Sequence, residues 1–178
     1  MDRNGFTLVE LMIVSVILMI LLLLSIPSFK NLTLRHKING QANDLFSMIY
    51  LARTEAIKRS KVVSICKSAD GQNCGGNWSL GWLMFVDLNQ DGALDVGETV
   101  VDAATVDTQV IINWSAFGSD NYIRLTPRGI TLAQNGTFTL CPHNGNNDIA
   151  RTVVVSKLAR VRLPEIGTDA GGNPIMCN

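Results

Sequence analysis

The sequence offers little to acid–base or nucleophilic catalysis. It contains two histidines, His36 and His143, and no catalytic motif surrounds either of them. A hydrolase needs a nucleophile, a base and an orienting acid in one place. No glycine-rich loop of the kind that cradles phosphates is present either. We therefore expect a protein that is not an enzyme and that requires no cofactor.

The chain also lacks net charge, because 15 Lys and Arg residues balance 15 Asp and Glu residues. No global excess of charge recruits nucleic acid or an acidic surface, so any such binding has to be local. Internal repeats and low-complexity tracts are absent. The 178 residues suffice for one globular domain and one additional element.

One long hydrophobic run is present, at the N-terminus. Residues 6–26 carry a single charge, Glu10, over 21 positions. At about 1.5 Å per residue, a helix of this length spans roughly 31 Å, the thickness of the hydrocarbon core of a bilayer. The sequence therefore predicts a single transmembrane helix over 6–27. A secretory signal peptide is the alternative, but its apolar region is shorter and a small-residue cleavage site follows it.

The charges that flank this run do not orient it. Three basic residues follow the run: Lys30, Arg35 and Lys37. The positive-inside rule alone would place these in the cytoplasm. However, all four cysteines lie beyond the run, and an even number suits an oxidising compartment. Because large domains translocate largely regardless of charge, we expect anchoring in a bacterial inner membrane with residues 28–178 in the periplasm.

After Pro27, apolar residues recur at steps of three and four and predict an amphipathic helix over 28–61. The apolar stripe comprises Ile38, Ala42, Leu45, Ile49, Ala52 and Ala56. Proline removes one backbone hydrogen bond, and we expect Pro27 to bend the helix without ending it. The two helical segments are therefore predicted to form one continuous stalk.

Residues 62–178 consist of short β-rich runs separated by Gly, Asn and Asp clusters. The predicted strands are Val62–Cys66, Trp82–Val86, Val110–Trp114, Tyr122–Leu125, Thr137–Cys141, Arg151–Ser156 and Arg160–Leu163. The predicted fold class is α+β, with the apolar stripe of the long helix covering one face of an antiparallel β-sheet domain.

The opening segment GFTLVELMIVSVI resembles the N-terminus of type IV prepilins and type II secretion pseudopilins. The resemblance implies that residues 1–5 are a leader, that prepilin peptidase cleaves between Gly5 and Phe6, and that Phe6 is then methylated. It also implies that Pro27 is the family's helix-kinking proline.

The same resemblance gives Glu10 a role in assembly, as the partner of the new N-terminal amine of a neighbouring subunit. A lone carboxylate in a hydrocarbon span costs about 2.5–3.5 kcal/mol, and such a pair would offset that cost. The alternative is a single-pass anchor with a tolerated or protonated glutamate.

The segments NWSLGWLMFVDLNQDGALDVGE, TPRGI and GTFTLC resemble the pseudopilin H and type IV minor-pilin branch of this family. The resemblance implies a pilin-like fold and a minor subunit that primes filament assembly near the tip. Its partners would be other pilin or pseudopilin subunits. The type IV pilus and the type II secretion pseudopilus use the same motifs, so both stay open.

The segment DLNQDGALDVGE fits the twelve-position calcium-loop template. Its oxygen-bearing side chains are Asp87, Asn89, Asp91, Asp95 and Glu98, with Gly92 at the turn. Alternating oxygen ligands and a closing glutamate are what calcium requires. The preceding WLMFV predicts a strand where an EF-hand has a helix, so the alternative is a hairpin whose acids are solvated.

Four cysteines permit three disulfide pairings. Cys66 and Cys74 flank a short Gly- and Asn-rich loop, which favours a disulfide between them and leaves Cys141 to pair with Cys177. A metal cluster is the alternative, but cysteines so far apart lack the paired spacing of zinc sites.

A basic group near the C-terminus consists of Lys157, Arg160 and Arg162. Some minor pilins of the branch that this chain resembles capture DNA through a Gly-Arg-x-Arg turn, which makes DNA a candidate partner. Here Ala159 replaces the glycine, which bears on the geometry of the turn. The alternative is that both arginines are the outward residues of an alternating strand.

Overall fold

The structure is a computed structural model that describes residues 7–177, except for the side chains of residues 22–29. Its elements in chain order are α1 (Leu8–Arg59), β1 (Val63–Lys67), β2 (Gly81–Val86), β3 (Thr99–Thr105), β4 (Val110–Phe117), β5 (Tyr122–Leu125), β6 (Asn135–Pro142), a 3₁₀ turn (Asn147–Ile149), β7 (Arg151–Val155) and β8 (Val161–Arg162). The chain divides into two compact units, Met1–Arg35 and His36–Asn178.

The N-terminal unit is helical from Leu8 onward. The backbone stays helical through position 27, which confirms that the proline does not end the helix. Over the described residues, no helix of the structure is both long enough and apolar enough to cross a membrane. The leader, residues 1–5, and Phe6, the first residue of the predicted span 6–27, lie outside the described residues. The side chains at the end of that span are also not described.

In the second unit, the predicted apolar stripe of α1 is confirmed. All six of its residues are completely buried: Ile38, Ala42, Leu45, Ile49, Ala52 and Ala56. This unit also ties α1 to the β-rich part of the chain, because Lys37 Nζ lies 2.9 Å from Asp107 Oδ2. The helix ends at Arg59.

The strands form two four-stranded antiparallel sheets. The first has the order β3-β2-β1-β5 and the second the order β4-β6-β7-β8. The seven predicted strands are all present, and their ends differ from the prediction by three residues at most. Two features were not predicted: the division into two sheets, and β3, which lies at an edge and is largely exposed.

Aromatic packing supports the second sheet. The rings of Trp114 and Phe138 stack with centroids 4.2 Å apart, and the ring of Trp78 meets Phe138 edge-on at 5.1 Å. Both indole N–H groups donate to backbone carbonyls, Trp78 to Asp120 at 2.8 Å and Trp114 to Ser119 at 3.1 Å. These large side chains are therefore buried without unpaired donors.

Candidate functional site

Glu10 lies in the first turn of α1 and forms reciprocal hydrogen bonds with Thr7. The Thr7 N–H donates to Glu10 Oε2 at 3.4 Å, and the Glu10 N–H donates to Thr7 Oγ1 at 3.3 Å. This arrangement is a capping box, with the threonine at the N-cap and the glutamate three residues later. In the single chain, Glu10 therefore has a partner of its own, although both bonds are long.

The prediction for Glu10 rested on its cost in lipid and on an amine partner in a neighbouring subunit, and it did not include Thr7. The pattern Thr-x-x-Glu before an apolar run was the signal that could have identified the cap. The other predicted processing residues, Gly5 and Phe6, lie outside the described residues, as does the side chain of Pro27.

The predicted calcium loop connects β2 to β3, so a strand and not a helix leads into it. Asp87 anchors its beginning and is only 1% exposed. Its Oδ2 accepts hydrogen bonds from Ser64 Oγ at 2.5 Å and from the Gly92 N–H at 3.0 Å, while its Oδ1 accepts one from the Gln90 N–H at 2.6 Å. The protein itself thus supplies donors to both oxygens of this carboxylate.

The remaining predicted ligands also converge. The Asn89 amide donates to Asp91 Oδ2 at 2.9 Å and to Asp95 Oδ2 at 2.8 Å. Glu98 closes the loop, because its Oε1 accepts from the Leu88 N–H at 2.7 Å and its Oε2 from the Asp95 N–H at 3.1 Å. The amide nitrogen of Asn89 therefore lies between two carboxylates. To serve as a calcium ligand, the amide would have to turn so that its oxygen takes this position.

Calcium binding stays a prediction. Between residues 7 and 177, no group of three or more His, Cys, Asp or Glu side chains is arranged to hold a metal ion. Gly92 is required by the loop itself: its φ is +82°, and an added Cβ would lie 2.5 Å from the ring of Tyr122. The sequence analysis missed this tyrosine, which supports the loop from β5.

The basic turn joins β7 to β8, and Ala159 adopts a glycine-like conformation within it. Its φ is +51°, it is buried, and its N–H donates to the Ser156 carbonyl at 2.9 Å. The replacement of glycine by alanine has therefore not removed the left-handed geometry. Arg160 and Arg162 are both exposed, and Arg162 also donates from Nη2 to the Ala170 carbonyl at 2.8 Å.

An exposed aromatic residue that the sequence analysis did not identify lies beside this turn. Phe117, at the end of β4, is 69% exposed, and Lys157 Nζ lies 5.7 Å from the centroid of its ring. Leu158, also exposed at 56%, belongs to the same turn. The basic turn therefore presents apolar as well as cationic groups to solvent.

Both predicted disulfides are present. Cys66 pairs with Cys74, and Cys141 pairs with Cys177. The first packs with Leu83 and Phe85 beside the predicted calcium loop, residues 87–98, which we call the acidic loop. The second holds the C-terminal segment against the second sheet together with buried Ile175.

The two histidines are separated, His36 on α1 and His143 in the turn after β6. Both are exposed.

Comparison with known families accounts for most of the chain. Residues 41–159 match the family described as type II transport protein GspH, and residues 1–26 match the prokaryotic N-terminal methylation motif. The first match alone spans more than half of the chain. The chain belongs to the GspH family. The resemblance inferred from the sequence is therefore confirmed.

A relative of this GspH-family chain is the pilin-like protein PilA1 of Thermus thermophilus. The two are 34% identical over 172 residues, which cover 92% of this chain and 99% of the relative. The likeness therefore extends over most of the chain and over nearly the whole relative.

Solved structures confirm the pilin-like α+β fold of the GspH-family chain. The type IV minor pilin FimU of Pseudomonas aeruginosa is similar at a TM-score of 0.57 and 19% identity, covering 74% of this chain and 90% of FimU. The minor pseudopilin EpsH of the Vibrio cholerae type 2 secretion system is similar at a TM-score of 0.53 and 12% identity, covering 72% and 96%. The fold is thus shared by a pilin and a pseudopilin.

Proposed function

We propose that this chain is a minor subunit of a type IV pilus or of a type II secretion pseudopilus. The main support is the presence on one chain of the N-terminal methylation motif, over residues 1–26, and the GspH domain, over residues 41–159. The subunit is inserted once in the bacterial inner membrane, with its C-terminal domain in the periplasm, and is also found in the assembled filament. It primes assembly near the tip and is not an enzyme.

Processing by prepilin peptidase removes residues 1–5 by cleavage between Gly5 and Phe6, and Phe6 is then methylated. The capping box of Glu10 with Thr7 gives this step a physical consequence. In the single subunit the carboxylate accepts one long hydrogen bond from a neutral N–H. A cationic N-terminal amine of a neighbouring subunit is a stronger donor and replaces it in the filament. Assembly thus exchanges a weak local contact for a charge pair.

The proposal is tested by replacing Glu10 in the chromosomal gene. We expect Glu10→Gln to be processed and inserted normally, but to be depleted from sheared filaments by tenfold or more, because an amide cannot neutralise the amine. Glu55→Gln, which removes a carboxylate from the far end of α1, serves as the control and should assemble normally. Mass spectrometry of the filament fraction should give a methylated Phe6 as the first residue.

Intact Met1 in filaments, or undiminished assembly of Glu10→Gln, would contradict this function. A deletion strain scored for twitching and for exoprotein release then separates the two machines. Loss of twitching assigns the subunit to a pilus, and loss of exoprotein release assigns it to the secretion pseudopilus.

A second candidate function is DNA capture for natural transformation, favoured by the side chains around the basic turn. Arg160 and Lys157 are exposed cations, and Phe117 adds an exposed aromatic face next to the lysine. Cations that meet phosphates beside a ring on which bases stack are a common arrangement for binding single strands. The glycine-like φ of Ala159 keeps the turn in a geometry that presents these groups together.

Gel shifts with single- and double-stranded DNA test this second function. We expect Arg160→Ala to weaken binding more than Arg162→Ala, because Arg162 already donates to the Ala170 carbonyl. Phe117→Ala should weaken binding to single strands most. Lys58→Ala, at the end of α1, is the control for a loss of charge elsewhere. If the Arg160 and Phe117 variants bind DNA as well as the wild type does, this surface is not the DNA-binding site.

A further inference from the structure

Two cations follow the predicted membrane span and form no salt bridge with any acidic side chain that the structure describes. Lys30 and Arg35 lie on α1 in the N-terminal unit, and both side chains are exposed. The sequence contains no Asp or Glu from residue 11 to residue 43. Within the part of the chain that the structure describes, neither cation makes a salt bridge, whereas Lys37, just beyond them, pairs with Asp107.

The spacing along the helix places Lys30 at the depth of the lipid headgroups and Arg35 just beyond them. If the span ends near residue 26, a rise of 1.5 Å per residue places the Cα atoms of Lys30 and Arg35 about 6 Å and about 14 Å beyond it. The headgroup layer is roughly 5–8 Å thick on each side of the hydrocarbon core. Helical side chains lean toward the N-terminus of their helix, which here is the membrane. The long side chain of Arg35 therefore reaches back toward the headgroups.

The side of the membrane on which these cations lie is the unfavourable one. With the C-terminal domain in the periplasm, Lys30 and Arg35 are on the translocated flank, and basic residues close to a span oppose translocation. A favourable contact on that side would compensate for this cost. Anionic phospholipid headgroups supply such a contact, because no cationic group of the headgroup balances the phosphate charge that a lysine or arginine binds.

We propose that Lys30 and Arg35 bind the phosphates of anionic phospholipids in the periplasmic leaflet and so hold the unassembled subunit at a fixed depth. This inference rests on the membrane insertion in the proposed function. Near a charged surface, each basic residue strengthens binding about fivefold, so the two together give a preference of about thirtyfold for anionic over zwitterionic lipid. Entry into a filament requires the release of these lipids.

The test uses the full-length chain, purified in a neutral detergent and titrated with phosphatidylglycerol or phosphatidylcholine. Bound lipids are counted by native mass spectrometry. We expect wild-type protein to bind phosphatidylglycerol at least tenfold more tightly, and the preference to fall as salt is raised from about 0.05 M to 0.5 M. The preference should disappear in a double variant with Lys30→Gln and Arg35→Gln.

A matched control carries Lys58→Gln and Lys61→Gln, which remove the same charge from the last turn of α1 and from the bend that follows it, and it should keep the wild-type preference. An equal preference in the Lys30/Arg35 variant overturns the proposal. A wild-type protein that binds phosphatidylglycerol and phosphatidylcholine equally well also overturns it. Displacement of the lipid by millimolar inorganic phosphate overturns it as well, since the site would then recognise phosphate and not a lipid surface.

Alkaline carbonate extraction of cell membranes separates this inference from the function on which it rests. Release of the wild-type protein into the supernatant means that the chain is not inserted, and the proposed membrane anchoring fails. Retention in the pellet, together with no lipid preference, leaves the anchoring intact and removes only the lipid site.

Discussion

Ser60 directly follows the last residue of α1 and adopts a backbone conformation that favours glycine. Its φ is 53°; its N–H donates to the Ile57 carbonyl, and the Lys61 N–H donates to the Ala56 carbonyl, both at 3.3 Å. These two bonds are those of a Schellman motif, with the serine at the position where glycine is most common. A residue with a Cβ costs about 1–2 kcal/mol in the left-handed region.

We therefore predict that Ser60→Gly stabilises the His36–Asn178 unit. The free energy of unfolding should rise by about 0.5–1 kcal/mol, because the relief of backbone strain exceeds the entropy that glycine adds to the unfolded chain. Urea unfolding at neutral pH measures the change. Lys58→Gly, inside the last helical turn, is the control and should lower the same quantity by about 1 kcal/mol. A loss of stability in Ser60→Gly would contradict the prediction.

Gly129 combines a positive φ with a close approach to α1. Its φ is +71°, and an added Cβ would lie 2.9 Å from Ile57 Cδ1 and 3.0 Å from Arg53 Nε. Gly129→Ala should lower the free energy of unfolding by about 1–2 kcal/mol. In an Ile57→Ala background part of the clash is gone, but the backbone strain stays. In that background we expect Gly129→Ala to lower the free energy of unfolding by a smaller amount that is still above zero. Urea unfolding of the single and double variants measures the difference. No cost in either background would contradict this account.

A site residue could be predicted from the sequence when its partners lie close to it along the chain. The five oxygen-bearing residues of the acidic loop lie within one segment of twelve positions, so their spacing alone predicted that they converge. The cysteine pairs followed from loop length and elimination. Tyr122 and Phe117 could not be predicted, because each meets its functional neighbour through sheet pairing between residues far apart in sequence.

At the scale of elements, buried strands were predictable and an exposed one was not. β2 is buried at every position, and its apolar run is typical of a strand. β3, with the sequence TVVDAAT, has no buried position and no regular alternation. The two-sheet arrangement depends on non-local pairs such as β1 with β5, which no local pattern specifies.

The free edge of β3 is protected by Asp102. The Ala103 N–H donates to Asp102 Oδ1 at 2.9 Å, and the register with β2 shifts between Met84 and Phe85. A charged side chain and a bulge are both devices that keep an edge strand from pairing with another chain. Val100, which is 46% exposed, would otherwise contribute to an apolar edge.

Asp102→Ala should therefore make the His36–Asn178 unit self-associate. We expect concentration-dependent oligomers in analytical ultracentrifugation, because the variant loses both the charge and the acceptor for the Ala103 N–H. Asp102→Asn keeps an acceptor and should give an intermediate result. Asp120→Ala, which removes an exposed carboxylate outside the strands, is the control. A monomeric Asp102→Ala protein would mean that the edge is protected by the bulge alone.

The acidic loop allows a direct test of the calcium hypothesis. Binding requires the Asn89 amide to turn its oxygen toward Asp91 and Asp95, whose carboxylates now accept from its nitrogen. Calorimetric titration with calcium should then give one specific event in wild-type protein and none in Asp91→Ala. Glu98→Gln should weaken the event, because calcium loses its closing ligand. If wild-type protein binds nothing at millimolar calcium, the loop is a polar hairpin tip.

At the scale of the second unit, α1 is held at two places. Lys37 contacts Asp107 Oδ2 at 2.9 Å and Gln109 Oε1 at 2.8 Å near one end. Gly129 lies against Ile57 and Arg53 near the other. Between these contacts the buried stripe of alanine and larger apolar residues supplies the hydrophobic stabilisation. The polar contact at Lys37 is the part of this attachment that depends on pH.

The pKa of Asp107 lies below its usual value. The main cause is the hydrogen bond that the Gln109 N–H donates to Asp107 Oδ1 at 2.9 Å, and the Lys37 ammonium adds to it. A carboxyl whose pKa is lowered on folding stabilises the folded state above its unfolded pKa, which is near 4. That stabilisation is lost as the pH falls through the lower, folded value.

Lowering the pH from about 6 to about 3 should therefore narrow the stability difference between wild type and Asp107→Asn. Urea unfolding of the second unit at both pH values measures it, and the narrowing should stay below about 1 kcal/mol because the ion pair is partly exposed. In a Lys37→Gln background, the difference should narrow less but still measurably, since the larger contribution from the Gln109 N–H is retained. Identical pH dependence of wild type and Asp107→Asn would mean that this contact does not contribute to attaching the helix.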